Sequence, residues 1–287
     1  MKITIFSTAS LLATAALAGN AWQVRFGLTS SAYQETFNEL VKDGYRLEYA
    51  TGFSDLSGDA RYNAIFEKPS ASDKIAWIAN HGLTPEKYST AFDDLKDKEY
   101  RPLHVQGYNV GKDPTSGKER RFTSIWHKNS GKGAVAWEER TDISGDKFTE
   151  LFQQLVEKGY RLRSLSGYAV GSQQRFSGVF EKRAGPAWKA YAGLNGDEYQ
   201  KKFEDLKKDG FYPVQIVPYN VDGKVWYSGI WEKVDAEAAK PYTRYGLTGP
   251  EYQDLLREWK GKGYRPTSVA GYIDGKTLKY ASIFNKA

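Results

Sequence analysis

The chain has 287 residues, no cysteine and a formal net charge of +6. The absence of cysteine excludes disulfides, thiol catalysis and zinc sites built on cysteine. The 41 lysines and arginines are spread along the whole sequence instead of being gathered in runs, so we expect no nucleic-acid partner.

The first 18 residues have the pattern of a secretion signal. Lys2 gives a short positive start, the residues from Ile3 to Leu17 are uncharged, and Ala16-Leu17-Ala18 fits a signal-peptidase cleavage site. The apolar stretch is short for a membrane span, and an uncleaved anchor is the alternative. We predict a signal peptide over residues 1–18, a secreted extracellular protein, and no membrane insertion after cleavage.

The remainder is an internal repeat, marked by two aromatic residues eight positions apart. Each unit also opens on an aromatic residue, and the starting positions are separated by 55, 60, 51 and 54 residues. The opening residues are Trp22, Trp77, Trp137, Trp188 and Tyr242. The pairs are Tyr45 and Phe53, Tyr100 and Tyr108, Tyr160 and Tyr168, Phe211 and Tyr219, and Tyr264 and Tyr272. We place the repeats at 19–70, 71–130, 131–184, 185–236 and 237–287.

Each unit begins with a predicted strand and continues with a predicted helix. Alternating large apolar and polar residues indicate a strand. After it, apolar residues follow one another at intervals of four, three and one positions, which in the first copy end at Leu40 and Val41. This spacing indicates one face of a helix. Short polar residues are predicted to cap the helix starts: Thr29, Thr84, Ser144, Asn195 and Thr248. Glycines are predicted to end four helices: Gly44, Gly159, Gly210 and Gly263.

Two further strands complete the unit. Asp222-Gly223 separates two strand-like runs and predicts a hairpin. The last strand is apolar on both faces and must therefore be covered on both. A small residue recurs at one position in it, which we interpret as the point where a neighbouring unit approaches: Ala64, Ser124, Gly178, Gly229 and Ser282.

The predicted fold is an α/β repeat protein of five β-α-β-β units of about 50 residues each. One helix and three strands cannot bury so many aromatic residues alone, so neighbouring units must stack. We favour closure into a five-bladed α/β propeller-like ring, because neither terminal copy has the polar surface of an end cap. An open solenoid is the alternative.

Several strings carry a family resemblance over almost the whole mature chain: Gly44-Tyr45-Arg46, Tyr100-Arg101-Pro102, Gly263-Tyr264-Arg265-Pro266, Gly107-Tyr108, Gly167-Tyr168 and Gly271-Tyr272. They resemble the tandem repeat of bacterial secreted proteins and of the amino-terminal region of fungal polyglycine hydrolases. In those hydrolases, catalysis belongs to a separate β-lactamase-like domain. The resemblance therefore implies a repeat region without that catalytic domain.

Ser144 and Lys147 have the Ser-x-x-Lys spacing of a β-lactamase nucleophile and base. No accompanying motif of that family follows them. Ser144 also stands where the other copies have capping residues, so we favour helix capping.

All three histidines, His81, His104 and His127, fall in the second repeat. The hairpin register predicts that His104 lies opposite Ile125, with His127 diagonally beside it on the same face. These two are the candidates for a metal site. The other copies have unrelated residues in place of His104, so we favour scattered surface histidines and expect no metal and no cofactor.

An arginine follows the first aromatic of four units. We expect these arginines mainly to pair with carboxylates or aromatic rings within or between units. If the ring closes, they and the tyrosines of the second aromatic position are candidates for lining repeated ligand pockets. The candidate ligand-binding residues are Arg46, Arg101, Arg161, Arg265, Tyr108, Tyr168, Tyr219 and Tyr272.

The sequence favours a secreted, monomeric, non-catalytic repeat protein that binds an extracellular glycan or protein partner through several similar sites. One alternative is a secreted hydrolase with its site in the second repeat, which alone holds histidines. Another is a stand-alone substrate-recognition module related to a polyglycine hydrolase.

Overall fold

The computed structural model describes residues 21–111 and 119–287, which form five units of similar structure. The predicted signal peptide lies outside these residues. The first unit contains β1 (Trp22–Leu28), α1 (Ser30–Lys42), β2 (Arg46–Ser54) and β3 (Ala60–Glu67). The second contains β4 (Trp77–Leu83), α2 (Pro85–Asp97), β5 (Tyr100–Asn109) and β6 (Arg120–Lys128).

The third unit contains β7 (Trp137–Ser144), α3 (Gly145–Glu157), β8 (Arg161–Val170) and β9 (Gln173–Glu181), and a short 3₁₀ turn (Gly131–Gly133) precedes it. The fourth contains β10 (Trp188–Leu194), α4 (Gly196–Lys208), β11 (Phe211–Val221) and β12 (Lys224–Lys233). The fifth contains β13 (Tyr242–Leu247), α5 (Gly249–Gly261), β14 (Tyr264–Asp274) and β15 (Thr277–Lys286). The predicted β-α-β-β order is confirmed in all five.

Each unit has its own three-stranded antiparallel sheet, with its last strand in the centre. In the first unit the order is β1-β3-β2, and the other sheets repeat it. The central strand is covered on both faces, as predicted. Phe66 packs against Phe37 of the unit's own helix, whereas Ile65 clusters with Val269 of the fifth unit.

The five helices have 13 residues each and begin at the predicted capping positions. Thr29, for example, accepts a hydrogen bond from the backbone of Ala32. The buried stripe of α1 consists of Tyr33 and Leu40, whereas Val41 is 37% exposed. Placing Val41 on the buried stripe was therefore wrong, because it lies too far around the helix.

The predicted glycines end the helices with positive φ angles, 82° at Gly44 for example. Glu99 takes this role in the second unit, with φ of 57°. A left-handed residue with a side chain is strained, since its Cβ approaches the backbone carbonyl. The predicted hairpin at Asp222 and Gly223 is also confirmed, with positive φ at both residues.

The second strand of each unit packs against the second strands of its two neighbours, and we call these five strands the inner strands: β2, β5, β8, β11 and β14. Each inner strand contains a register shift of one residue relative to the central strand. The extra residue is the third after the first aromatic position. We call these the bulge residues: Glu48, Leu103, Arg163, Val214 and Thr267.

Neighbouring units meet where an aromatic ring lies on a glycine. A Cβ built on Gly52 would stand 2.4 Å from Cε1 of Tyr108, and one built on Gly107 would stand 2.3 Å from Cε1 of Tyr168. The same contact joins Gly167 to Tyr219, and Gly271 to Phe53. In each case the second aromatic of one unit covers the glycine before the second aromatic of the preceding unit. For Phe53, that preceding unit is the fifth.

The small residue that recurs in the central strand is explained by contacts within its own unit, and not by a neighbouring unit as predicted. A Cβ on Gly178 would meet Phe148, Phe180 and Leu162, all within its own unit. A Cβ on Gly229 would meet Trp231, also of its own unit. The position is small because large side chains of the same unit fill the space above it. The interpretation as an approach point for a neighbouring unit was wrong.

Polar contacts repeat between units as well. Gln106 of the second unit accepts a hydrogen bond from the backbone of Gly52 (2.7 Å) and donates one back to it (3.0 Å). Thr51, at the equivalent position of the first unit, donates to the carbonyl oxygen of Val269 in the fifth unit (2.8 Å). The first and fifth units therefore contact each other in the manner of sequence neighbours. None of the described helices is long and apolar enough to cross a membrane.

Substituting Gly107→Ala will destabilise the protein by about 1–3 kcal/mol, because the added methyl group overlaps the Tyr168 ring and forces the two units apart. Equilibrium unfolding in urea measures the difference. Gly133→Ala is the matched control, since its Cβ would meet nothing within 4 Å. Equal stability of the two variants would show that the Tyr168 ring does not lie against Gly107.

Candidate functional site

A cavity of about 320 Å³ opens where the inner strands end, and residues of all five units line it. We call it the central cavity. Its wall is formed by glycines and by the second aromatic of each unit, and Asn109, Asn220 and Asp55 also line it. Leu56, in the turn between β2 and β3, lines it with 59% of its surface exposed. The site is thus mainly apolar with a few polar groups, the usual character of a ligand pocket.

The four predicted tyrosines line this cavity but are almost completely buried. Tyr108, Tyr168, Tyr219 and Tyr272 are 3%, 2%, 6% and 3% exposed. The faces of the first three lie against glycines of the preceding units, so a sugar ring cannot stack on those faces. Burial also raises the pKa of all four hydroxyls, which stay neutral.

The tyrosine hydroxyls already have protein partners. That of Tyr108 donates to the Tyr62 hydroxyl (2.9 Å), and that of Tyr219 donates to Gln174 (2.9 Å). The hydroxyl of Tyr272 accepts from the backbone of Gly246 (3.0 Å). These contacts give the tyrosines a structural role in addition to their place in the cavity wall.

The four predicted arginines stand at the other end of the inner strands, where they form ion pairs. Arg101 pairs with Glu181 of the third unit, and Arg265 pairs with Glu67 of the first. Arg161 pairs with Glu232 of the fourth unit at 2.7 Å. Each of these three arginines therefore reaches a carboxylate at or next to the end of the central strand of the following unit, in agreement with the predicted pairing between units.

Arg46 departs from that pattern and pairs instead with Glu48 (2.6 Å) and Asp73 (2.9 Å). The arginines and tyrosines do not share pockets. They are seven residues apart on an extended strand, which separates their Cα atoms by roughly 20 Å. The structure therefore contradicts the predicted repeated pockets lined by both residue types.

His104 is opposite Ile125, as predicted, but it is buried with 4% exposure. Its Nε2 lies 2.8 Å from the carbonyl oxygen of Ala50, and its Nδ1 lies 3.1 Å from the Ser164 hydroxyl. Both ring nitrogens are thus occupied by protein atoms. The residues equivalent to His104 also bond across units, since the Tyr49 hydroxyl accepts from Ser268 at 3.2 Å.

His127 is also buried, at 6% exposure, and its Nε2 has no hydrogen-bond partner among the described residues. Burial lowers the pKa of both His104 and His127 to about 4, so both are neutral at ordinary pH. His81 is half-buried between Tyr33 and Tyr62 of the first unit. The expectation of scattered surface histidines was wrong, because the neighbouring units cover them.

Residues 21–111 and 119–287 contain no group of three or more metal-ligating side chains placed to hold a metal ion. Ser144 has the backbone conformation of a helix cap before α3, as predicted, but its side chain makes no capping hydrogen bond.

Glu139 is a candidate that sequence reasoning missed. It is only 6% exposed in β7, and the Tyr88 hydroxyl of the second unit donates to it at 3.3 Å. Burial raises the pKa of its carboxyl group to about 8. It borders two crevices between α2 and β7. Equivalent positions in three other copies hold Val24, Ala79 and Ala190, so a charged residue at an apolar repeat position was the available signal.

Five sheet-and-helix units, four of whose junctions are aromatic-on-glycine contacts, share one cavity and define a tandem-repeat protein. A family model described as "Polyglycine hydrolase-like, structural repeat" matches residues 19–69, 74–129, 134–183, 185–234 and 238–287. These matches cover most of the chain, which therefore belongs to this repeat family. The resemblance predicted from the sequence is confirmed.

Glu139→Gln will make the protein more stable than the wild type at pH 9, and the difference will disappear near pH 4. Glu139 ionises near pH 8 in the folded protein but near its ordinary value of 4.5 when unfolded. The buried carboxyl group therefore costs the folded protein nothing below pH 4.5. As the pH rises from 4.5 to 8, the free energy of unfolding of the wild type falls by an amount on the order of a few kcal/mol.

Urea unfolding of wild type and variant across this range measures the effect. Glu157→Gln is the control, because Glu157 lies exposed at the end of α3. A difference between Glu139→Gln and wild type that does not change with pH would contradict the buried, neutral carboxyl group.

Proposed function

We propose that the five units close into a five-bladed, propeller-like ring. Support comes from the contacts of Phe53 with Gly271, of Thr51 with Val269, and of Arg265 with Glu67, which repeat between the first and fifth units the relations that join sequence neighbours. Closure gives every unit a partner on both sides. The inner strands then surround an axis whose two ends are chemically different.

At one end, the central cavity forms what we call the hairpin mouth. At the other end, the ion-paired arginines form what we call the arginine mouth. The ring thus offers two separate surfaces to partners, each assembled from several repeats.

We propose that the protein is secreted, non-catalytic and binds an extracellular protein partner at the hairpin mouth. The observation that carries this proposal is the central cavity, to which all five units contribute. Its volume suits one or two side chains of a partner, and the exposed Leu56 extends its apolar surface. The buried tyrosine faces disfavour a glycan, because sugar recognition commonly uses accessible aromatic faces.

A non-catalytic role agrees with the uses of the reactive residue types. His104 has both nitrogens engaged by protein atoms, and Ser144 stands at the start of α3 and does not line the central cavity. Neither presents an activated group to the central cavity.

A glycine-rich peptide is a second candidate ligand. The repeat family carries the description polyglycine hydrolase-like, which connects these repeats with proteins that act on glycine chains. A segment without side chains could also lie close to the cavity wall, which contains Gly52, Gly107, Gly167 and Gly271.

Leu56→Asp will weaken binding of the preferred peptide by about tenfold, which corresponds to about 1.4 kcal/mol, because it places a charge on the apolar rim. The mature protein is first screened against a displayed peptide library, a blocked hexaglycine and a glycan array. Affinities of the hits for wild type and variant are then measured by calorimetry.

Ile75→Asp is the matched control, since Ile75 is 47% exposed and does not line the cavity. Selective loss with Leu56→Asp supports peptide binding at the hairpin mouth, and hexaglycine among the hits identifies the second candidate. Binding of glycans alone, or equal affinities of the two variants, would contradict the proposal.

A further inference from the structure

The arginine mouth contains more cations than the ion pairs require. Besides the four predicted arginines, Arg163 and Arg183 of the third unit belong to it, which makes six guanidinium groups. Among the described residues, the carboxylates paired with them number five: Glu48, Glu67, Glu181, Glu232 and Asp73. One positive charge is left over.

The left-over charge belongs to Arg163. Arg183 contacts Glu181 at 3.0 Å, and the other four arginines have the partners given above. In the part of the chain that the structure describes, no carboxylate lies within 4.0 Å of Arg163, whose side chain is exposed. An unpaired guanidinium keeps all five of its donors available.

Arg163 lies among charged residues of three units. Its side chain interacts electrostatically with Glu181 and Arg183 of its own unit, Arg101 of the second unit and Glu48 of the first. Solvent reaches it, yet the surrounding protein desolvates the guanidinium and lowers its pKa. Arg163 has this position because it is the bulge residue of β8.

A second, independent observation concerns His127. Its Nε2 is buried and lacks a hydrogen-bond partner among the described residues. The charged groups near it are Arg46, Arg101, Arg163 and Asp73, which belong to the same cluster. A buried polar atom without a partner is costly, and a ligand or water that bonds to it removes that cost.

We propose that the arginine mouth binds a compact tetrahedral oxyanion, a sulfate or phosphate group, with Arg163 as its principal contact. The planar fork of a guanidinium matches the oxygens of such a group and donates two parallel hydrogen bonds. The anion also offsets the repulsion of Arg163 by Arg101 and Arg183. His127 supplies one further neutral hydrogen-bonding group.

The site is separate from the central cavity, at the opposite end of the inner strands. It also rests on contacts among the first three units, so it does not require the ring to be closed. Binding at the arginine mouth and binding at the hairpin mouth can therefore succeed or fail independently.

Calorimetric titration of the mature protein with sodium sulfate, at ionic strength held constant with chloride, tests the proposal. We expect saturable binding by wild type, at least tenfold weaker binding by Arg163→Ala, and intermediate binding by Arg163→Lys, which keeps the charge but loses the fork. Arg257→Ala, which removes an exposed arginine of α5 paired with Asp254, is the control and should bind as wild type does.

Arg163→Ala leaves no carboxylate without a partner, so its melting temperature without sulfate should equal or exceed that of the wild type. Glucose 6-sulfate in place of inorganic sulfate distinguishes an ester group on a larger molecule from a free ion. Tighter binding of the ester that depends on Arg163 indicates the former, and equal binding the latter. Absence of saturation, or equal sulfate affinity of Arg163→Ala and wild type, overturns the site.

Discussion

The aromatic ring that one unit lays on a glycine of the preceding unit is the contact on which the rest of the structure depends. The ring can lie this close because the underlying residue lacks a Cβ, as at Gly52, Gly107 and Gly167. The contact buries the second aromatic of four units and fixes the spacing of their inner strands, whereas Pro218 stands at the position of the glycine in the fourth unit. The central cavity and the arginine mouth are both consequences of that spacing.

Several units also repeat a polar relation with their neighbours. Side chains such as Thr51 and Gln106 bond to the backbone of the preceding unit, and arginines such as Arg101 reach the terminal glutamate of the following one. Because these relations recur in several copies, they account for assembly and not for specificity. The residues that differ between copies, above all Glu139, His104 and Arg163, are where a particular function can reside.

Much of the fold could be predicted because its signals are local. Helix caps, terminal glycines and the Asp222-Gly223 turn act within a few residues of themselves, and they are found where expected. The order of elements follows from the same signals. The family followed from short strings around the first and second aromatics, which the repeat match supports.

The site was harder to predict because its surroundings come from other units. His104 is buried by Ala50 and Ser164, which are 54 and 60 residues away. Arg163 has no ion-pair partner among the described residues, and its bulge position depends on the register between β8 and β9, which the sequence of β8 alone does not show. The tyrosines looked available for ligands, but the glycines that cover their faces belong to the preceding units.

The central claim, that the first unit lies on the fifth as sequence neighbours lie on each other, is tested most directly by a double-mutant cycle of Phe53→Ala and Gly271→Ala in urea unfolding. In the closed arrangement, the alanine at position 271 overlaps the Phe53 ring, so it should destabilise the wild type by about 1–3 kcal/mol but have little effect once Phe53 is truncated. Additive effects within about 0.5 kcal/mol would show that the two residues do not touch and would contradict the account.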